Sequence, residues 1–205
     1  MKKITLALLG ASLLSASSLF AATISLSNTN VGAFDVYNPI INNDGVIIPF
    51  GTSPASGTVQ VGYFTDSDTI VGDGDFDSFQ SFGTAGTIDG GGFDYDGLYT
   101  FNSSETIASG SPFIGKSIYT FITVGDEYLV VKSGISFGED APSFAADVDI
   151  AAEGTLIWGN FVTGGADIGA GAVDAYQLVP VPEPSTFALL GGLLALTCVM
   201  LRRRA

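Results

Sequence analysis

The chain contains no histidine. Histidine is the side chain whose ordinary pKa lies closest to neutral pH, so its absence removes the usual general base, Ser-His-Asp and Cys-His catalysis and His-ligated zinc. The only cysteine is Cys198, near the C-terminus, so the rest of the chain has neither a disulfide nor a cysteine metal site. The sequence therefore predicts no catalytic residues, and we expect a protein that is not an enzyme.

Basic residues are also scarce. Between residues 22 and 180 the only ones are Lys116 and Lys132, whereas every acidic residue of the chain except Glu183 lies there, which makes 20. This central segment therefore carries a formal charge of −18. Such a field repels nucleic acid and anionic lipid and keeps an exported protein in solution. We expect no nucleic-acid partner.

The C-terminal segment joins a rigid element, an apolar run and a basic end, in the order Pro182, Glu183, Pro184, then Phe187 to Leu201, then Arg202, Arg203 and Arg204. The prolines fix φ and lack a backbone donor, which predicts an extended stretch from Val181 to Ser185. A helix that begins near Phe187 rises about 22 Å over the apolar run, short of the roughly 30 Å hydrocarbon core. We expect a marginal span of the inner membrane with the arginines on its cytoplasmic side.

This order of features resembles the PEP-CTERM sorting signal of Gram-negative bacteria over Val181 to Ala205. The resemblance implies that an exosortase recognises Pro-Glu-Pro, cuts near it and releases or transfers the protein. The tail is then a transient anchor in the inner membrane, and the mature protein reaches the cell surface or extracellular matrix. The resemblance also implies a link to exopolysaccharide or biofilm. A permanent single-pass anchor and a helix in a soluble core are the alternatives.

The N-terminal segment has the layout of a secretory signal peptide. Lys2 and Lys3 precede a mostly apolar run from Ile4 to Leu14, and small residues follow. We predict that signal peptidase cuts after Ala21. The chain then divides into a signal peptide at 1–21, a body at 22–179 and a sorting and anchoring segment at 180–205. The body is long enough for one domain with its own core.

The body has the pattern of an all-β protein. Short β-branched and aromatic runs alternate with turn residues, and no long stretch keeps a 3.6-residue apolar period, which predicts a single β-sandwich or jelly roll. We expect a three-residue hairpin loop at Gly125-Asp126-Glu127. The predicted strands are Thr23–Ser27, Gly32–Tyr37, Val46–Pro49, Thr58–Phe64, Leu98–Phe101, Ser117–Val124, Tyr128–Lys132, Gly154–Phe161 and Ala172–Leu178. The Asp- and Gly-rich stretch from Asp66 to Gly97 is expected to be a long loop, pinned to the sandwich by phenylalanines.

Two catalytic motifs match the chain without their required context. Residues 110–117 fit the phosphate-binding pattern GxxxxGK[ST], which needs a helix after the loop, but a strand-like run follows Ser117. Residues 134–138 fit the nucleophile elbow GxSxG, in which Ser136 needs a base, and without histidine only Lys132 or a carboxylate could serve. We interpret the first motif as a turn that enters a strand and the second as a chance match.

Alternate aspartates give the strongest hint of a metal. Carboxylates at every second position of an extended loop point to one side and suit a cation with six to eight oxygen ligands. The segment Asp73 to Asp77 begins like an EF-hand loop, but Ser78 and Thr84 stand where glycine and glutamate are required. We predict either a structural Ca²⁺ site or a solvated acidic loop. The candidate ligands are Asp66, Asp68, Asp73, Asp75 and Asp77.

These features favour an exported structural or interaction protein of the cell envelope. The first alternative is a surface carbohydrate-binding module, for which the aromatic candidates are Tyr63, Tyr95, Tyr99 and Trp158. A second is a small glycan-active hydrolase, because paired carboxylates can cleave glycosides without histidine. With so many acidic residues a chance pair is expected, so the sequence assigns no residues to that reaction.

Overall fold

The structure is a computed structural model that describes residues 20–28, 38–51, 56–89, 95–107, 110–138, 145–169 and 171–181. The predicted signal helix before residue 20, the predicted strand Gly32–Tyr37 and the segment from Pro182 onward lie outside these residues. No helix among the described residues has the length and apolar character needed to cross a membrane.

The described residues form twelve strands and two short helices. The strands of the first half are β1 (Phe20–Ser27), β2 (Ile40–Ile41), β3 (Thr58–Phe64), β4 (Phe79–Gly86), β5 (Thr100–Ile107) and β6 (Ser117–Val124). Those of the second half are β7 (Glu127–Ser136), β8 (Ala145–Asp149), β9 (Thr155–Trp158), β10 (Asn160–Asp167), β11 (Ala172–Gln177) and β12 (Val179–Pro180). The helices are α1 (Asp68–Gly72) and α2 (Ile150–Glu153).

The strands form three sheets. The largest has the order β12-β7-β6-β3-β4, and β9 also pairs with β7. A second sheet has the order β5-β1-β8, and a third has β10-β11-β2. Most neighbouring strands are antiparallel, whereas β1–β8 and β11–β2 are parallel. The all-β prediction is confirmed.

The main core lies between the largest sheet and the sheet of β1. Alternate residues of β3 and β6, among them Val61 and Ile122, point into it, as do Ile24 and Leu26 of β1. This is the period-2 alternation that places every second side chain of a strand on one face. Two sheets therefore share one apolar core, as in a β-sandwich.

The opposite face of the largest sheet is also covered. The side chains that point there from β3, β6 and β7 include Phe64, Phe121 and Val130, and they pack with residues from the segment that contains α1. The middle of this sheet is thus apolar on both faces. The rings on this second face form the cluster called here the outer aromatic cluster: Phe64, Phe76, Phe79, Tyr119, Phe121, Tyr128 and Trp158.

Two predicted strands, Thr58–Phe64 and Ser117–Val124, have the predicted bounds. Other predictions need correction. Val46–Pro49 is not a strand, since only Ile47 forms an isolated bridge, to Ile41. The run Gly154–Phe161 is divided at Gly159, whose φ of 109° ends β9 before β10 begins.

The β6–β7 hairpin has a two-residue turn, not a three-residue loop. Val124 pairs with Glu127, so only Gly125 and Asp126 remain between the strands, and Gly125 has the positive φ of 61° that such a turn uses.

The stretch from Asp66 to Gly97 is only partly a loop. It contains α1 and the whole of β4, which pairs with β3. The phenylalanines do pin it to the sandwich, but on both faces: Phe76 and Phe79 lie in the outer aromatic cluster and Phe82 lies in the main core.

Candidate functional site

The chain reaches its sorting segment at the edge of the largest sheet. Val179 and Pro180 of β12 pair with Tyr128 and Glu127 at the beginning of β7. The indole Nε1 of Trp158 donates a hydrogen bond of 3.0 Å to the carbonyl of Val179. The residues that come directly before the predicted Pro-Glu-Pro element are therefore bound to the folded body.

Gly74 lies against the side chains of Trp158 and Val181, where the C-terminal strand meets the body. Its φ of 87° lies in the left-handed region that favours glycine. A Cβ on Gly74 would lie 3.1 Å from Cγ1 of Val181 and 3.2 Å from the ring of Trp158. Any larger residue would push both side chains outward, so the glycine permits the close approach of the C-terminal strand.

The neighbouring Phe76 explains why the acidic turn folds against the sheet. Its ring centre lies 5.1 Å from that of Tyr128, 5.3 Å from Phe121 and 5.7 Å from Trp158. Ring pairs at such separations stabilise beyond their buried area. The turn at residues 73–77 is thus fixed by its aromatic residue, while its aspartates Asp73, Asp75 and Asp77 are exposed.

A second polar contact fixes α1. Nζ of Lys132 lies 2.7 Å from Oδ2 of Asp68, and the hydroxyl of Tyr119 donates to the other carboxylate oxygen. The Lys132 ammonium also lies 5.6 Å from the centre of the Tyr119 ring. The side chains of Lys132 and Asp68 are 31% and 42% exposed, so this is a partly solvated pair that ties the beginning of α1 to β6 and β7.

These contacts change the proton affinities of all three groups. The hydrogen bond from Lys132, followed by that from Tyr119, holds the pKa of Asp68 below its usual value. The same bond to Asp68 raises the pKa of Lys132. Burial, followed by the bond to Asp68, raises the pKa of Tyr119. The arrangement therefore favours a charged Asp68–Lys132 pair beside a neutral tyrosine.

The five aspartates predicted as calcium ligands do not converge. Among the described residues no group of three or more acidic side chains is placed to hold a metal ion. Asp68 faces Lys132, and one carboxylate oxygen of Asp75 accepts a hydrogen bond from the backbone of Asp77. Asp66 is exposed. The calcium site stays a prediction, and the geometry favours its alternative, a solvated acidic turn.

The two catalytic motif matches lie in β-structure. β6 begins at Ser117, the last residue of the phosphate-loop pattern, so a strand follows the loop as the sequence indicated. In that turn Phe113 packs on Tyr63, Phe82 and Phe137, which makes the segment a packed turn. Ser136 is the last residue of β7 and pairs with Ser117 across the ladder, a position unlike the sharp turn of a nucleophile elbow.

The predicted sugar-stacking aromatics are dispersed. Tyr99 and Tyr63 are buried in the main core, and Trp158 belongs to the outer aromatic cluster. Only Tyr95 of the four is well exposed, at 56%. Phe50, which is 42% exposed, lies near it, because the backbone N–H of Phe50 donates to the carboxylate of the adjacent Asp96 at 2.9 Å.

A shallow groove of about 480 Å³ lies between the loop at residues 42–49 and the β6–β7 turn. Val46, Ile48 and Val124 supply apolar lining, and Asp126 and Glu127 lie at the turn. One oxygen of Glu127 accepts a hydrogen bond of 3.0 Å from the backbone of Asn43. That carboxylate holds the two sides of the groove together.

The sequence did not indicate the polar contacts of Trp158 and Asp68. Trp158 bonds to a residue 21 positions later, and Asp68 pairs with a lysine 64 positions later. Neither pairing has a local pattern, since each arises only when strands distant in sequence become neighbours.

A comparison with protein families matches residues 180–204 to the PEP-CTERM protein-sorting motif. The comparisons with curated proteins and with solved structures found no match. The motif supports an exported protein that an exosortase sorts to the cell surface, as the C-terminal resemblance implied. The match begins at Pro180, the last residue of β12, so the sorting motif and the folded body meet without a gap.

We predict that the Asp68–Lys132 pair gives the unfolding free energy a specific pH dependence. Because the folded pKa of Asp68 is lowered, its contribution is present above about pH 4 and is lost as the pH falls through the folded value. The raised pKa values of Lys132 and Tyr119 place the corresponding alkaline loss above about pH 10. Lys132→Met should lower the unfolding free energy near neutral pH by about 0.2–1 kcal/mol, measured by urea unfolding.

The control is Lys116→Met, which changes the net charge equally. The Lys116 ammonium lies 5.8 Å from the centre of the Tyr63 ring and forms no ion pair within the described part of the chain. In this variant the unfolding free energy should fall at acidic pH as it does in the wild type. Identical curves for the two variants would show that the Asp68–Lys132 pair does not contribute.

Calcium binding is tested by thermal unfolding. We expect 2 mM Ca²⁺ to shift the melting temperature by less than about 1 °C, because Asp68 is already paired with a lysine and the other carboxylates are separate. A site filled a hundredfold above its Kd would stabilise by about 2.7 kcal/mol, or roughly 5–10 °C in a domain of this size. Such a rise, lost in the triple variant Asp73→Asn, Asp75→Asn and Asp77→Asn and not produced by Mg²⁺, would establish the site.

Proposed function

We propose that this chain is a structural or interaction protein of the cell surface or extracellular matrix that acts without catalysis. The observation that carries the proposal is the sorting motif at residues 180–204, attached directly to a compact β-body. In this route signal peptidase removes residues 1–21, the apolar run after Pro184 holds the protein briefly in the inner membrane, and the exosortase then cuts the tail.

The body suits a role outside the cell. A formal charge of −18 on the segment between residues 22 and 180 keeps it in solution and away from other polyanions. Its stability needs no disulfide, since the only cysteine lies in the tail. Apolar packing on both faces of the largest sheet supplies the stability instead.

The absence of catalysis is supported by the surroundings of the two motif matches. The phosphate-loop pattern ends in a strand, and Ser136 lies in a strand ladder. On the basis of the sorting motif, we propose that the partner is the exopolysaccharide of the matrix. The acidic surface would then contact neutral or basic sugars, or a cation-bridged anionic polymer, because a bare polyanion is repelled.

A carbohydrate-binding module is the second candidate. It is favoured by two exposed rings, Tyr95 and Phe50; the backbone N–H of Phe50 donates to the carboxylate of Asp96, the residue after Tyr95. Exposed aromatic rings stack on sugar faces, and carboxylates accept hydrogen bonds from sugar hydroxyls.

The proposed processing predicts the mature mass. Protein recovered from the cell surface should lack residues 1–21 and the apolar tail from Phe187 to Ala205, as measured by intact mass spectrometry. Peptides that contain Arg202 to Arg204 should be found only in the membrane fraction of unprocessed precursor. Their recovery from the surface form would indicate a permanent anchor and contradict the proposal.

The second candidate predicts binding on a glycan array. Tyr95→Ala should weaken the affinity for the glycan by about two- to tenfold, as expected for the loss of about 0.5–1.5 kcal/mol of ring stacking. The matched control is Phe161→Ala, because Phe161 is similarly exposed and lies elsewhere, in the β10–β11 pair, where it packs on its cross-strand neighbour Tyr176. An array without any bound glycan would eliminate this candidate and leave the non-catalytic structural role.

A further inference from the structure

The chain is fixed to the body up to the residue before the sorting element. Leu178 is fully buried, and its backbone N–H donates to the carbonyl of Ile41 at 2.9 Å. Val179 and Pro180 then form β12, and Val181 lies against Gly74. Pro182 follows directly, so no spacer separates the folded sheet from the element that the exosortase recognises.

This arrangement limits how an enzyme can reach the chain. Enzymes that cut or transfer peptides hold several residues in an extended groove and need the backbone groups on both sides of the bond. Here the residues before Pro182 already use backbone groups in their own sheet, and the Val179 carbonyl accepts from the Trp158 indole. The body itself also occupies the space beside them.

We propose that β12 must separate from β7 before the exosortase can process the chain, and that the strength of this short strand sets the processing rate. The proposal rests on the proposed function, in which the exosortase removes the tail. The strand is released before the exosortase breaks the peptide bond. This order holds whether the carbonyl group of that bond is then transferred to water or to an amine.

The strand is well suited to open without unfolding the body. β12 contains two paired residues, and one of them, Pro180, has no backbone N–H to donate. Val179, Pro180 and Val181 are each only partly buried, whereas Leu178 before them is anchored in the core. Short edge segments of this kind open locally at a much lower cost than the whole domain. We expect the separation of the C-terminal strand from β7 to stop at Leu178.

Trp158 is the positioning residue of this contact. Trp158→Phe keeps an aromatic ring in the outer aromatic cluster and removes the Nε1 hydrogen bond to Val179. Loss of one such bond, about 0.5–1.5 kcal/mol, raises the open population by about two- to tenfold. When opening and closing are fast compared with cleavage, the processing rate follows that population. We therefore expect a two- to tenfold faster conversion of precursor.

The experiment is a pulse-chase of the full chain in cells that contain an exosortase. Precursor and mature forms are separated by mass, and three variants are compared with the wild type. The first is Trp158→Phe. The second inserts Gly-Ser-Gly-Ser-Gly-Ser between Val181 and Pro182, which frees the element without touching the body. The third, Ser103→Ala, is the control, because it removes side-chain bonds of 2.8 and 3.1 Å to the carbonyls of Phe82 and Thr84 in β4, at the opposite edge of the largest sheet from β12.

We expect faster processing in the first two variants and the wild-type rate in the control. Equal rates in the wild type and the insertion variant would overturn the proposal, and this variant remains informative if Trp158→Phe fails to fold. A control as fast as Trp158→Phe would also overturn it, because general destabilisation would then explain the effect. A wild-type chain that keeps its tail would overturn the proposed function itself, and strand release with it.

Discussion

The two-sided burial of β6 and β7 is the constraint on which the rest of the structure depends. On one face Ile118, Ile122 and Leu129 close the main core against the sheet of β1, and on the other Phe121 and Val130 are covered by the outer aromatic cluster. An antiparallel sheet usually exposes one face to water. Here the second face is apolar and must be covered. The described residues contain only two short helices, and α1, the acidic turn and β9 form the cover.

The C-terminal strand is a consequence of the same cluster. β9 brings Trp158 to the edge of β7. Its indole is partly buried there, and the N–H of such a tryptophan usually finds a hydrogen-bond partner. The carbonyl of Val179 supplies that partner. Phe76 approaches from the acidic turn and requires Gly74 to bend with a positive φ. The point at which the sorting segment leaves the body is therefore built from three distant parts of the sequence, held together by one group of rings.

The sequence predicted what depends on local pattern. The bounds of two strands follow from the sequence alone, because apolar side chains alternate clearly in Thr58–Phe64 and Ser117–Val124. The Pro182-Glu183-Pro184 element is recognisable for a similar reason, because it consists of consecutive residues. β4 was missed because Phe79–Gly86 contains glycine, serine and glutamine and resembles a loop. It is a strand because β3 offers an unpaired edge beside it. The pairing of Asp68 with Lys132 has no local signal, because the two residues are 64 positions apart. The roles of Trp158 and Gly74 likewise depend on contacts between distant parts of the sequence.

The charge of the body matters because its connection to the tail is short. Six Cα steps separate Val181 from Phe187, which at roughly 3.3–3.6 Å each allow about 20 Å between the fixed end of the body and the predicted apolar run. In the proposed route the body therefore stays within about 20 Å of the membrane surface, and its near side can come within one Debye length, about 8 Å at physiological salt, where charges still interact. An apolar or basic surface at that distance would adhere to the lipid headgroups after cutting. In the same route a body with a formal charge of −18 would be repelled from anionic lipid, so removal of the tail would be enough to release it.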